Sequence, residues 1–127
     1  QGGPEDSEFI AAGNKPGEAC VSLEGVQANM KMWGIPSELL VYHPGWFEDT
    51  VPQAAYISPK AVAVDKIALL RLDGDLYSST KVCLEHLYPR LVRGGACILD
   101  DYPLSGCRKA FHEVVGYPQP IQWIKSI

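Results

Sequence analysis

The chain has 127 residues and a formal net charge of −4 at pH 7. This length suits one compact domain rather than two. Lys and Arg are scattered rather than clustered, which argues against nucleic acid as a partner. The sequence shows no apolar run long enough to cross a membrane and no secretory leader, so we expect a cytoplasmic protein without membrane contact.

The four cysteines are widely spaced and form no Cys-x-x-Cys pair; they are Cys20, Cys83, Cys97 and Cys107. This spacing favours reduced thiols inside a cytosolic protein over a disulfide framework or a zinc site.

The first part of the chain is predicted to contain one helix. Residues 1–20 are rich in Gly, Pro and polar side chains and are expected to form a loop or lid. From Ser22 the apolar residues recur every three or four positions, which predicts a helix that Ser22 caps and Gly34 ends. Apolar residues at 39–42 then predict a short strand, and residues 43–52 have the composition of a turn. Residues 53–65 fit either a weak helix or a loop.

Strands and helices alternate in the second part. The apolar run that starts at Ile67 and ends at Asp73 predicts a strand buried on both faces. A helix capped by Ser78 or Ser79 should follow, with an apolar stripe and a break near Pro89; the stripe is Cys83, Leu84, Leu87 and Leu91.

The turn Gly94-Gly95 should then lead into a second strand over 96–99. Another helix over 107–115 and a last strand over 121–124 complete the pattern. Such alternation predicts an α/β fold with a parallel sheet and right-handed connections.

Carboxylates end both predicted strands. Asp73 and Asp75 follow the first strand, and Asp100 and Asp101 follow the second. Because chemistry collects at the carboxyl ends of parallel strands, we expect these four side chains to lie close together. A single Asp after a strand usually caps a helix, but two such clusters exceed what capping needs. Clustered carboxylates repel one another unless a cation lies between them, and oxygen ligands favour Mg²⁺ over Ca²⁺ or Mn²⁺.

Several motifs occur in the order and spacing of a known family. They are Asp73-Gly-Asp-Leu-Tyr-Ser-Ser-Thr80, residues 84–91, Gly94-Gly95, Ile98-Leu-Asp-Asp-Tyr102, residues 21–29, Gly45-Trp-Phe-Glu-Asp-Thr-Val-Pro52 and residues 106–110. Together they resemble the macrocin O-methyltransferases over residues 20–125. These enzymes use S-adenosylmethionine to methylate sugar hydroxyls on macrolides and related natural products.

The resemblance implies a Rossmann-like class I methyltransferase fold, with helices on both faces of a parallel sheet. It implies Mg²⁺ held by Asp73, Asp100 and Asp101, with Asp75 as general base. It also implies that Gly45 and Trp46 contact S-adenosylmethionine. The partner would be a small-molecule hydroxyl acceptor, and the protein could form a homo-oligomer.

The resemblance leaves one region of the family unmatched. The first strand and Gly-rich turn of the family have no counterpart in residues 1–20, so we expect a partial domain over 1–127, with βα units over 21–127 that carry the metal site. Two alternatives remain open at this point: a metal-dependent glycosyltransferase that uses the Asp-Gly-Asp motif, or an inactive fragment of the fold.

Overall fold

The computed structural model describes residues 3–14, 20–56 and 64–116. Its α-helices are α1 (Ser7–Ala11), α2 (Leu23–Met32), α3 (Phe47–Ala55), α4 (Tyr77–Leu87) and α5 (Ser105–Val114). Its strands are β1 (Ile67–Leu72) and β2 (Leu91–Leu99), and short 3-10 helices cover Pro4–Asp6, Ser37–Leu39 and Tyr88–Arg90. Within these ranges, no helix combines the length and the apolar character that crossing a bilayer requires.

The two strands pair in parallel and are joined through α4, as the alternating pattern predicts. Leu70 lies opposite Cys97, and Leu72 lies opposite Leu99. The pairing continues one residue further, because the Asp100 N–H donates to the Leu72 carbonyl at 2.9 Å. Both strands therefore end at the same level of the sheet.

A bulge in β2 produces this level ending. The register passes from Ile67 opposite Leu91 to Leu69 opposite Ala96, so a two-residue advance in β1 matches a five-residue advance in β2. Gly94 lies in this bulge with φ +83°. A Cβ on Gly95 would lie 3.0 Å from the Ala68 carbonyl oxygen, so a side chain there would crowd β1. The prediction of a turn at Gly94-Gly95 before the strand was wrong, since both glycines lie inside β2.

The core lies on one face of β1. Strand residues alternate between faces, so Leu70 and Leu72 point into the core while Leu69 is 60% exposed on the other face. The prediction that this strand is buried on both faces was therefore wrong. Helices α3, α4 and α5 each add to the buried cluster; its members are Val51, Leu70, Leu72, Cys83, Leu84 and Ala110. The sheet and three helices thus share one apolar contact region.

Three helix predictions agree with the structure apart from their first residues. The Ser22 hydroxyl accepts the Gly25 N–H at 3.1 Å and so caps α2 as expected. Helix α4 starts at Tyr77, slightly before the predicted serine caps, and ends at Leu87, before Pro89. Leu91, predicted in the apolar stripe of this helix, is instead the first residue of β2. Helix α5 starts at Ser105, two residues before the predicted Cys107.

The predictions for the N-terminal part were less accurate. The strand predicted at 39–42 does not form, since Ser37–Leu39 is a 3-10 helix and the next residues are unpaired. The predicted turn at 43–52 is wrong from Phe47 onward, because these residues form α3, which contains Pro52. Residues 4–11 form helical turns rather than a loop. The ambiguous 53–65 segment is helical to Ala55, while residues 57–63 and the strand predicted at 121–124 lie outside the described residues.

Leu84 should be the most sensitive core position for stability. Its side chain is completely buried, so Leu84→Ala removes apolar contacts and leaves a cavity. We expect the free energy of unfolding to fall by about 2–5 kcal/mol. Urea denaturation measures this change, and Leu39→Ala is the control because Leu39 is 72% exposed. Equal losses for the two variants would contradict the assigned core.

Candidate functional site

The two strand ends bring Asp73 and Asp100 together through Arg71. One terminal nitrogen of Arg71 lies 2.8 Å from Asp73 Oδ2, and the other lies 2.8 Å from Asp100 Oδ2. A single guanidinium thus bridges carboxylates that follow two different strands. The bridge exists because β1 and β2 end level with each other.

Arg71 was not singled out by the sequence reasoning. It lies between Leu70 and Leu72, which are buried, so its own side chain projects from the opposite, open face of β1. The hydrogen bond to Asp73, followed by the negative charges of Asp73 and Asp100, raises the pKa of Arg71. The available signal was a lone cation in an apolar strand that ends at carboxylates.

Asp75 and Asp101 form a second contact between the same two loops. The Asp75 N–H donates to Asp101 Oδ2 at 3.0 Å. Asp75 adopts a left-handed backbone conformation with φ 58°, which Asp and Asn tolerate better than most residues. Its side chain is half-buried. Burial, and then the charges of Asp101 and Asp73, raise the pKa of the Asp75 carboxyl.

The four acids therefore lie at one edge of the sheet but as two pairs. Asp73 and Asp100 turn toward Arg71, whereas Asp101 turns toward the Asp75 backbone. Across the described ranges, no three Asp, Glu, His or Cys side chains converge as a metal-ligand set. The oxygen donors suit a hard divalent cation, and one pair already holds a cationic group.

The segment Gly45-Trp46 leads into α3, whose first residue, Phe47, packs on the Asp-Gly-Asp loop. Gly45 has φ +141°, and a Cβ there would meet the Thr50 methyl carbon at 2.8 Å. Trp46 precedes the first residue of α3 and is 60% exposed. The next residue, Phe47, covers the loop between the acids, since a Cβ on Gly74 would lie 3.1 Å from Phe47 Cε2. An exposed indole is thus next to a ring that packs on the Asp-Gly-Asp loop.

Two further acids contact the site from the N-terminal segment. Asp6 is 4% exposed and accepts the Tyr77 N–H, while Glu8 accepts the Ser105 N–H. The sequence reasoning missed both, because it treated residues 1–20 as a loop or lid. No periodicity could have identified them, since their partners lie far along the chain.

The thiols of Cys83 and Cys107 are buried near this region. Burial raises the pKa of each to about 11. Both thiols are therefore protonated near neutral pH, and an uncharged, buried sulfur behaves as a core group rather than as a nucleophile.

Comparison with known proteins identifies the family. The family profile of Macrocin-O-methyltransferase (TylF) matches residues 5–126. The chain belongs to this family. It is also 36% identical to a solved structure, that of the O-methyltransferase NovP, with a TM-score of 0.69 over 89% of this chain and 43% of that one. The macrocin O-methyltransferase resemblance and the partial Rossmann-like α/β fold are therefore confirmed.

Two curated relatives that the chain matches are named as O-methyltransferases. The chain is 43% identical over 100 residues to 8-demethyl-8-(2,3-dimethoxy-alpha-L-rhamnosyl)-tetracenomycin-C 4'-O-methyltransferase of Streptomyces olivaceus, which covers 79% of this chain and 35% of the relative. It is 39% identical over 111 residues to Mycinamicin III 3''-O-methyltransferase of Micromonospora griseorubida, which covers 87% of this chain and 41% of the relative. The chain thus spans less than half the length of these relatives. Their names favour the methyltransferase interpretation over the glycosyltransferase alternative.

The raised pKa of Asp75 predicts a pH-dependent loss of stability. A carboxyl with a raised pKa binds its proton more tightly in the folded chain than in the unfolded chain. Stability should therefore fall as the pH rises from the ordinary value of 3.8 through the raised pKa of Asp75. Asp75→Asn removes this titration and suits the left-handed backbone, so the fall should be smaller in the variant.

Urea denaturation at a series of pH values from about 3 to 7 measures this difference. Asp65→Asn removes a charge from an exposed residue before β1 and serves as the control. If the free energy of unfolding changes with pH in the same way for the wild type and for Asp75→Asn over the whole range, Asp75 is not the group responsible.

Proposed function

We propose that this chain forms the acidic part of the active site of a methyltransferase that acts on a sugar or similar natural-product hydroxyl. The methyl donor in this proposal is S-adenosylmethionine, and the reaction depends on Mg²⁺. Family membership supports the reaction type. The names of the relatives support a glycosylated small molecule as the acceptor. The observation that carries the proposal is the placement of four carboxylates, as two pairs, at the ends of two adjacent parallel strands.

In this proposal Asp73, Asp100 and Asp101 hold Mg²⁺. Three carboxylates leave coordination positions of an octahedral ion open to acceptor oxygens. The bound ion would lower the pKa of the acceptor hydroxyl and fix its position. Arg71 pairs with both Asp73 and Asp100, so its guanidinium would have to move away from these carboxylates for them to hold the ion.

Asp75 is the proposed general base. A carboxylate with a raised pKa takes a proton more readily than an ordinary Asp does, and burial and neighbouring charges raise the pKa of Asp75. The acceptor hydroxyl would give its proton to this carboxylate. Its oxygen would form a bond to the methyl carbon while the carbon–sulfur bond breaks and its electron pair returns to sulfur, which leaves S-adenosylhomocysteine.

Gly45 and Trp46 are the proposed contacts to S-adenosylmethionine. Trp46 offers an exposed indole and directly precedes Phe47, the residue that packs on Gly74 of the acidic loop. Gly45 adopts a φ of +141°, which glycine tolerates, and a side chain there would meet Thr50. A cytoplasmic location and homo-oligomerisation stay predictions.

Removal of one proposed ligand should abolish the dependence of turnover on Mg²⁺. We expect Asp73→Ala or Asp101→Ala to lose turnover and to show no response to added Mg²⁺, because two carboxylates cannot replace three. Methyl transfer from labelled S-adenosylmethionine is measured in protein that includes any segments flanking this chain. Asp49→Ala is the control, since Asp49 is exposed in the first turn of α3. Mg²⁺-stimulated turnover in either ligand variant would refute the ligand assignment.

Removal of the proposed base should slow methyl transfer without loss of metal binding. Asp75→Asn keeps the size and backbone preference of Asp75, but its amide accepts no proton. We expect the rate constant of turnover to fall by about 10²–10⁴-fold, with little change in Mn²⁺ affinity measured by electron paramagnetic resonance. A variant as fast as the wild type would show that another group takes the proton.

A further inference from the structure

The segment Pro4–Ala11, called here the N-terminal clamp, contacts the starts of two helices that follow the acidic loops. Asp6 is almost fully buried, and its Oδ1 accepts the Tyr77 N–H at 2.7 Å. Its other oxygen accepts the Gly3 N–H at 3.0 Å. Tyr77 is the first residue of α4, two positions after Asp75. One carboxylate thus ties the clamp to the end of the first acidic loop.

A second carboxylate ties the clamp to the other loop. Glu8 Oε2 accepts the Ser105 N–H at 2.8 Å, and Ser105 is the first residue of α5. These bonds with Ser105 lower the pKa of Glu8. Helix α5 follows Asp100 and Asp101 after three residues. The two bonds span 71 and 97 residues along the chain, so they are tertiary contacts and not local turns.

The clamp fits closely between the two helices. A Cβ on Gly106 would lie 2.5 Å from Asp6 Oδ1 and 3.0 Å from the Glu5 carbonyl oxygen. Gly106 is buried, so the contact leaves no room for a side chain. Outside this contact, Glu5 pairs with Lys109 at 3.2 Å on the surface of α5. The clamp is therefore held by one buried acid and two more accessible ones.

We infer that Asp6 and Glu8 are positioning residues, which fix the two acidic loops relative to each other. The first N–H groups of a helix have no partner within the helix and carry partial positive charge, so a carboxylate stabilises them. Because a single short segment supplies both carboxylates, the starts of α4 and α5 are held at a set separation. This inference rests on the proposed function only in assigning the loops to a metal site.

The bond between the two loops gives a direct reporter. The Asp75 N–H donates to Asp101 Oδ2, so it exchanges slowly with solvent only while the loops keep their relative position. If Asp6 positions the loops, Asp6→Ala should accelerate exchange at Asp75. A matched variant, Asp6→Asn, loses the same charge but keeps an oxygen that accepts the Tyr77 N–H, so it should restore slow exchange.

The experiment combines amide exchange by NMR with Mn²⁺ titration of the 127-residue chain. For Asp6→Ala and Glu8→Ala we expect faster exchange at Asp75, with the mid-helix amide of Leu84 unchanged. We also expect Mn²⁺ affinity to fall by about tenfold or more, as for other residues that orient metal ligands. Glu5→Ala is the control on the same segment, because it removes the side chain that pairs with Lys109 and keeps the backbone carbonyl that contacts the start of α5. It should leave both readouts unchanged.

The outcomes separate this inference from the proposed function. The positioning role would be overturned if the Asp75 amide exchanges as slowly in Asp6→Ala as in Glu5→Ala. It would also be overturned if exchange accelerates equally at Asp75 and Leu84, because that result indicates general unfolding. If Asp6→Ala proves too unstable, Asp6→Asn and Glu8→Ala decide the question by the same measurements. A wild-type chain that binds no Mn²⁺ would instead contradict the proposed metal site. The amide exchange rates would then decide the role of Asp6 and Glu8 by themselves.

Discussion

The level ending of two parallel strands is the constraint on which the acidic site depends. The bond from the Asp100 N–H to the Leu72 carbonyl extends the ladder to the last residues of the sheet. Beyond it the chain turns away on both strands, and the next side chains are acids. A pair of strands that ended at different heights would separate these acids by several ångströms, since each strand residue advances about 3.3 Å. Backbone pairing therefore decides which side chains meet.

The negative charges of the clustered acids repel one another, and different groups offset this repulsion at different acids. Arg71 neutralises Asp73 and Asp100 from the open face of the sheet. The Asp75 N–H satisfies one oxygen of Asp101. Burial, and then the charges of Asp101 and Asp73, raise the pKa of the Asp75 carboxyl. A carboxylate with a raised pKa accepts a proton more readily, which links the stability of the loops to the chemistry proposed for them.

The sequence alone predicted the parts of the fold that depend on local pattern. Apolar runs and periodicity located β1, β2, α2, α4 and α5, because burial on a regular element leaves a regular trace. The order of motifs was specific enough to predict the family. The acids at the strand ends were also visible, since their sequence position fixes where they fall on a parallel sheet.

What the sequence could not predict depends on contacts between distant residues. The helical turns around Asp6 have no apolar period, and the bonds to Tyr77 and Ser105 hold them in place. The start of α3 at Phe47 was not predicted, because Pro52 is typical of a turn although it lies within this helix. Arg71 was missed because its partners follow two different strands, and only the register shows that one guanidinium reaches both carboxylates.

The bulge at Gly94-Gly95 makes the length of β2 critical for the position of the acids that follow it. Insertions and deletions are usually tolerated between a helix and a strand. Here the three additional residues of the bulge lie within the paired part of β2. Losing one residue from 91–96 would slide the remainder of β2 by one position and exchange its inward and outward faces. Ile98 would then face the core in the place of Cys97, and Asp100 would point away from Arg71. The length of this short stretch therefore decides which β2 side chains face the core and where Asp100 points, although the stretch contributes no side chain to the acidic site.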